Sequence, residues 1–88
     1  MHPYSDLFRA FITQWIKDYR KTIRVTQEIM AERLRISVRC YSDLEKGRNS
    51  CYAATLMFLL LSLPEPEVVR LCEEFRNRVK EADEHGAA

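Results

Sequence analysis

An all-α domain of five helices is the fold class the sequence predicts. Three observations point to it. Only two glycines and three prolines punctuate 88 residues, too few turn signals for many short strands. Apolar residues recur at helical spacing in five separate stretches. Ser5, Thr26 and Ser37 stand where the first three of these begin, and such side chains accept from the unpaired N–H groups of a first helical turn. The length fits one domain, residues 1–88, with a modest core. An apolar content of 47% at regular spacing marks a folded chain, not a disordered one.

Each element follows in order. Helix one starts near Ser5, with Asp6 in its first turn, where the helix dipole favours a negative charge. Leu7, Phe8, Phe11, Ile12, Trp15, Ile16 and Tyr19 share one face, and Arg9, Thr13, Gln14, Lys17 and Asp18 fill the other. Helix two is capped by Thr26 and turns Met30, Ala31 and Leu34 inward. The small Ala31 allows a close helix approach. Helix three is capped by Ser37, points Tyr41 and Leu44 inward and stops at Gly47. Arg35 and Ile36 lie between them, with Ile36 as a buried plug; so tight a connection forces a crossing of roughly 90–120°. Helix four covers about Tyr52 to Ser62, with Ala53, Leu56, Met57, Leu60 and Leu63 inward. Pro64 and Pro66 end it. Helix five runs over about 66–80, with Val68, Leu71, Cys72, Phe75 and Val79 as its stripe; fraying is expected after Lys80.

The net charge of +1 hides an asymmetry. Residues 17–48 carry nine Lys/Arg against five acids, and residues 64–88 carry four bases against seven acids. The first half attracts polyanions and the second does not. Cys40, Cys51 and Cys72 are odd in number and form no C-x-x-C, so no metal site is expected. Reduced thiols in a cytoplasmic protein are the expected state, with a redox sensor as the minority option. The N-terminal stretch has no signal-peptide pattern, and the uncharged run from Asn49 to Leu63 is shorter than the roughly 20 residues a bilayer needs. No membrane association is expected. No paired carboxylates, nucleophile–base set or glycine-rich phosphate loop suggests an enzyme.

The stretch Val25–Gly47, VTQEIMAERLRISVRCYSDLEKG, carries the most specific pattern. Thr26-Gln27-Glu28, Ala31, Leu34, Ile36-Ser37, Tyr41, Leu44-Glu45-Lys46-Gly47, Thr55-Leu56-Met57 and Leu63 together resemble the helix-turn-helix of the phage-repressor and Cro-like, or XRE, family. The resemblance covers roughly residues 20–63, with the motif at about 26–46, and is nearest to small regulators from Gram-positive bacteria. It implies a lambda-repressor-like domain that binds double-stranded DNA and regulates transcription. The third helix, about 38–46, would then lie in the major groove with its N-terminal residues at base edges.

Carried onto this chain, the resemblance puts Val38, Arg39, Ser42 and Asp43 on the base-reading face. Arg39 suits guanine O6 and N7, or else a phosphate. Val38 suits a thymine methyl. Asp43 either accepts from cytosine or pairs with a nearby arginine. Gln27, Ser37, Lys46, Arg48 and Asn49 fall at phosphate-contacting places, which give salt-sensitive affinity without sequence information. Gln27 also braces a side chain on the third helix. Glu45 and Arg20 are implied to form a structural ion pair. The family usually has glycine where this chain has Arg24 and Arg35, so either those backbones are left-handed at a cost of roughly 1–2 kcal/mol each or the turns differ.

Ile29, Phe58 and Leu61 stand where relatives commonly place polar groups. Phe58 and Leu61, with Cys72, are a possible dimer interface; alternatively helix five folds over them as core. A homodimer suits half-sites spaced by about one helical turn, roughly 34–36 Å. The expectation is therefore a cytoplasmic, nucleoid-associated regulator with no cofactor and no small-molecule effector. The alternative is a protein-interaction module, an adaptor or antitoxin-like partner binder on the same fold.

Overall fold

The structure is a computed structural model and describes residues 3–86. These residues form five helices and no strand: α1 Pro3–Ile23, α2 Gln27–Leu34, α3 Val38–Glu45, α4 Ala53–Ser62 and α5 Glu65–Glu84. Among them no helix is long and apolar enough to cross a membrane. α3 packs on α1 and α2, α4 on α2, and α5 on α1.

α1 is the spine. Ile12 and Ile16 are fully buried, and Phe11, Trp15 and Tyr19 nearly so. Trp15 and Tyr19, one turn apart, stack with ring centroids 5.3 Å apart. The helix begins two residues before Ser5, at a proline whose missing N–H costs nothing in a first turn. Ser5 is therefore an exposed position inside the helix and not its cap.

The two short helices form as their caps dictate. The Thr26 hydroxyl accepts from the Ile29 N–H at 3.2 Å, and the Ser37 hydroxyl from the Cys40 N–H at 3.0 Å. Met30, Ala31 and Leu34 face inward from α2, as Tyr41 and Leu44 do from α3. Arg35 closes α2 in a left-handed conformation at φ 59°. Its N–H returns to the Glu32 carbonyl, and the Ile36 N–H reaches the Ala31 carbonyl at 3.0 Å. Arg24, in the turn before α2, is left-handed as well, at φ 60°. Ile36 is half-buried against the core, less deeply than a plug.

α4 and α5 differ from expectation in four respects. α4 begins at Ala53, one residue after Tyr52. It turns Leu59 into the core, completely buried, and leaves Met57 55% exposed and Ala53 exposed. A helix of nearly uniform apolarity offers more than one equally good stripe, so its pattern does not choose the inner face. α5 begins at Glu65 with Pro66 in its first turn and continues past Lys80 to Glu84. The Tyr4 hydroxyl, donating to Asp83 at 2.5 Å, ties that last turn to α1. Finally, Cys72 is exposed; Leu71, one residue earlier, is the buried position.

α5 runs antiparallel along α1. Tyr4 meets Asp83, Phe8 meets Phe75 edge-on at 5.6 Å, and Arg70 lies 4.9 Å over the Trp15 ring. It thus covers α1 and leaves the outer side of α4 open. Leu61 remains 76% exposed, and Phe58 is half-buried beneath the Arg35 guanidinium, 4.9 Å from the ring centroid.

Candidate functional site

α3 has eight residues and two distinct sides. Tyr41, Leu44 and Glu45 are buried. At 3.6 residues per turn, burying 41, 44 and 45 turns 39, 42 and 43 the other way, and Val38, on the flank of the buried side, is the first residue of the helix. Val38 is 44% exposed and Arg39 is exposed, while Ser42 and Asp43 are half-buried at the ridge.

The buried side is clamped. Arg20 on α1 grips the Glu45 carboxylate with two bonds, Nε to Oε2 at 2.6 Å and Nη2 to Oε1 at 3.1 Å. Its remaining Nη1 donates to the Val25 carbonyl at 3.1 Å, fixing the α1–α2 turn. Gln27 on α2 donates to Glu45 Oε1 at 3.0 Å. One carboxylate therefore ties three helices together. Burial alone would raise the Glu45 pKa; the Arg20 donors, then the nearby Tyr41 hydroxyl and the Gln27 amide, outweigh it and hold the group below its ordinary value. The Tyr41 hydroxyl lies beside this carboxylate but makes no hydrogen bond of good geometry among the described residues. Burial first, and then the Glu45 charge, push its phenol well above the ordinary range.

The sequence-predicted flanking residues gather at the two ends of α3. Ser37 at the start spends its oxygen lone pair on the cap and keeps its hydroxyl hydrogen. Gln27 is turned inward toward Glu45 through Nε2, and the second hydrogen of that amide remains. Lys46 and Arg48 are exposed past the end of α3, and Asn49 is half-buried. Arg48 Nη1 lies 3.8 Å from Asp43 Oδ1, a long, solvent-exposed pair worth little. Phe58, Leu61 and Cys72 lie apart from this cluster, on α4 and α5.

Two features here carried no sequence signal. Tyr52, 71% exposed, sits at the N-cap of α4 without a side-chain cap bond, so the first N–H groups of α4 have no side-chain acceptor. A cleft of about 90 Å³ opens between Cys40, Leu44, Asn49 and Tyr52. Cys51, by contrast, is set into the structure, and burial pushes its thiol up to about 11. The whole arrangement is a clamped ridge that presents one arginine, one aliphatic group and one hydroxyl, with Lys46 and Arg48 exposed past its end.

No protein-family model matches the chain, and neither do any curated proteins or solved structures.

Proposed function

We propose that the protein is a sequence-specific double-stranded DNA-binding transcriptional regulator that seats α3 in the major groove. The observation that carries this reading is the two-sided α3. Arg39 and Val38 project outward at its N-terminal end while Glu45, Tyr41 and Leu44 lock its other side to α1 and α2. A groove reader needs outward donors on a support that does not give.

In this reading Arg39 bonds guanine, Val38 touches a thymine methyl and Ser42 reaches a base edge. Asp43, shared with Arg48, is the weakest reader of the four. Ser37 and Gln27 offer their remaining hydrogens to phosphates, and Lys46, Arg48 and Asn49 hold the backbone beyond α3. The excess of nine bases over five acids in residues 17–48 adds a long-range attraction for a polyanion. No cofactor, effector or catalytic step is required, and the protein works on the nucleoid in the cytoplasm.

Binding to random duplex DNA across a salt series tests the reading. The affinity is expected to fall steeply, with a log–log slope of about −0.9 per phosphate contacted, and a flat response overturns it. Arg39→Ala is expected to relax preference at one base pair by about 1–3 kcal/mol, whereas Arg48→Ala weakens all sequences alike. Identical behaviour of the two variants would contradict the division into base and backbone contacts. A second reading, a protein-interaction module, is favoured by the exposure of Met57 (55%) and Leu61 (76%). Failure to bind any duplex at low salt would leave it as the better account.

A further inference from the structure

The basic and acidic halves of the chain meet at the junction of α4 and α5. On one side of it lies a shallow groove of about 230 Å³ lined by Arg33, Arg35, Phe58, Leu61 and Ser62. Its floor is apolar and both its charges are positive. Among the described residues neither arginine has an acidic partner at ion-pair distance; Arg35 rests on the Phe58 ring. The nearest acid in sequence, Glu32, is exposed but does not line the groove. On the other side, beginning three residues after Ser62, α5 presents Glu65, Val69 and Glu73 four residues apart along one exposed line. Val69 is 55% exposed, and neither glutamate is paired among the described residues, in contrast to Glu67 and Glu74, which are held by Arg70.

Acid–apolar–acid on a helix is the complement of base–apolar–base in a groove. We propose that the occupant of the α4 groove is a second copy of this chain, its α5 ridge Glu65–Val69–Glu73 lying between Arg33 and Arg35 on Phe58 and Leu61. A ridge-to-groove contact is heterologous and would propagate into a filament unless it closes. The ridge begins three residues after Ser62 of the groove, and in the proposed dimer a two-fold axis near that junction lets each ridge reach the groove of the other copy. The contact removes Leu61 and Val69 from water and pairs four otherwise solvated charges per half. The charges set register and orientation; the apolar floor supplies the attraction.

Sedimentation equilibrium without DNA over a concentration series tests this. The wild type is expected to associate to a dimer and no further, more weakly at high salt. Arg33→Glu leaves the groove with one charge of each sign against the acidic ridge, and Glu65→Arg with Glu73→Arg makes groove and ridge both basic. Each variant alone is expected to self-associate at least about tenfold more weakly. An equimolar mixture of the two is expected to regain part of the dimer, because the acidic ridge of the first variant then meets the intact two-arginine groove of the second. All three substituted positions are exposed on helices, and far-UV circular dichroism verifies the fold; should a variant lose its helical signal, Leu61→Lys replaces it and is expected to be monomeric. A monomeric wild type, variants that dimerise as the wild type does, or a mixture that stays monomeric overturns the proposal. None of these residues lies on α3, so failure of the DNA reading would leave this result unchanged.

Discussion

At the scale of single residues, Glu45 is the most constrained group in the molecule. Its side chain is 4% exposed and its partner Arg20 16% exposed. A buried pair of this kind contributes little net stability over an apolar substitute, but stranding one member costs about 3–5 kcal/mol. In a chain of 88 residues that is much of the total. Glu45→Ala and Arg20→Ala are therefore expected to unfold the domain in urea well before the wild type, and to lose any ligand of α3 by that route. A Glu45→Ala variant of wild-type stability with altered ligand preference would contradict this. The same carboxylate makes stability depend on acid. Its folded pKa lies below the ordinary 4.5, so the clamp contributes fully above that value. The contribution is lost as pH falls from about 4.5 through the lower folded value, where the folded state gives up its negative charge. Glu45→Gln is expected to be less stable at neutral pH and to lack this portion of the acid sensitivity, as read by urea midpoints measured from pH 7 to pH 3.

Among the elements, the turns before and after α2 are the ones that break a local rule. Arg24 at φ 60° and Arg35 at φ 59° occupy a conformation that suits glycine. A left-handed non-glycine residue costs about 1–2 kcal/mol, part of which glycine gives back through its greater freedom in the unfolded chain. Arg24→Gly is expected to stabilise by about 0.5–1 kcal/mol. Arg35→Gly also loses the guanidinium over Phe58, worth about 0.5–1 kcal/mol, and is expected to come out near neutral. Thermal midpoints of the two variants decide it; equal stabilisation would mean that the ring contact contributes nothing. These elements also show what the sequence could convey. α2 and α3 are legible to within a residue or so because their ends are set by local chemistry, Thr26, Ser37 and Gly47, and their inner faces by three or fewer apolar side chains. The Arg20–Glu45 pair was legible only through a family resemblance, since no local rule joins residues 25 apart. α4 was misread in its facing because almost every side chain on it is apolar, so only tertiary packing against α2 could select Leu59 over Met57. The end of α5 was misread because the contact that holds it, Tyr4 to Asp83, spans 79 residues.

For the molecule as a whole, the question is whether α5 is an appendage or part of the fold. Residues 26–63 contain the capped helices, but the aromatic face of α1 needs a cover from beyond them. α5 provides it: Phe75 meets Phe8 at 5.6 Å and Phe11 at 5.2 Å, and Arg70 and Arg78 lie over Trp15 and Phe11. Removing residues 64–88 would bare Phe8, Phe11 and Trp15 together, an apolar surface that a small domain does not leave in water. The truncated chain is expected to lose cooperative unfolding and to aggregate. Phe75→Ala tests the same idea mildly. A fully buried phenylalanine costs about 3–5 kcal/mol on truncation to alanine, and half-burial brings this to about 2 kcal/mol. At about 4–8 °C per kcal/mol for a domain of this size, the midpoint is expected to fall by roughly 10 °C. Cys72→Ala, on the exposed side of the same helix, is expected to leave it in place. If Phe75→Ala melts as the wild type does, α5 is an appendage, and the core ends with Leu63.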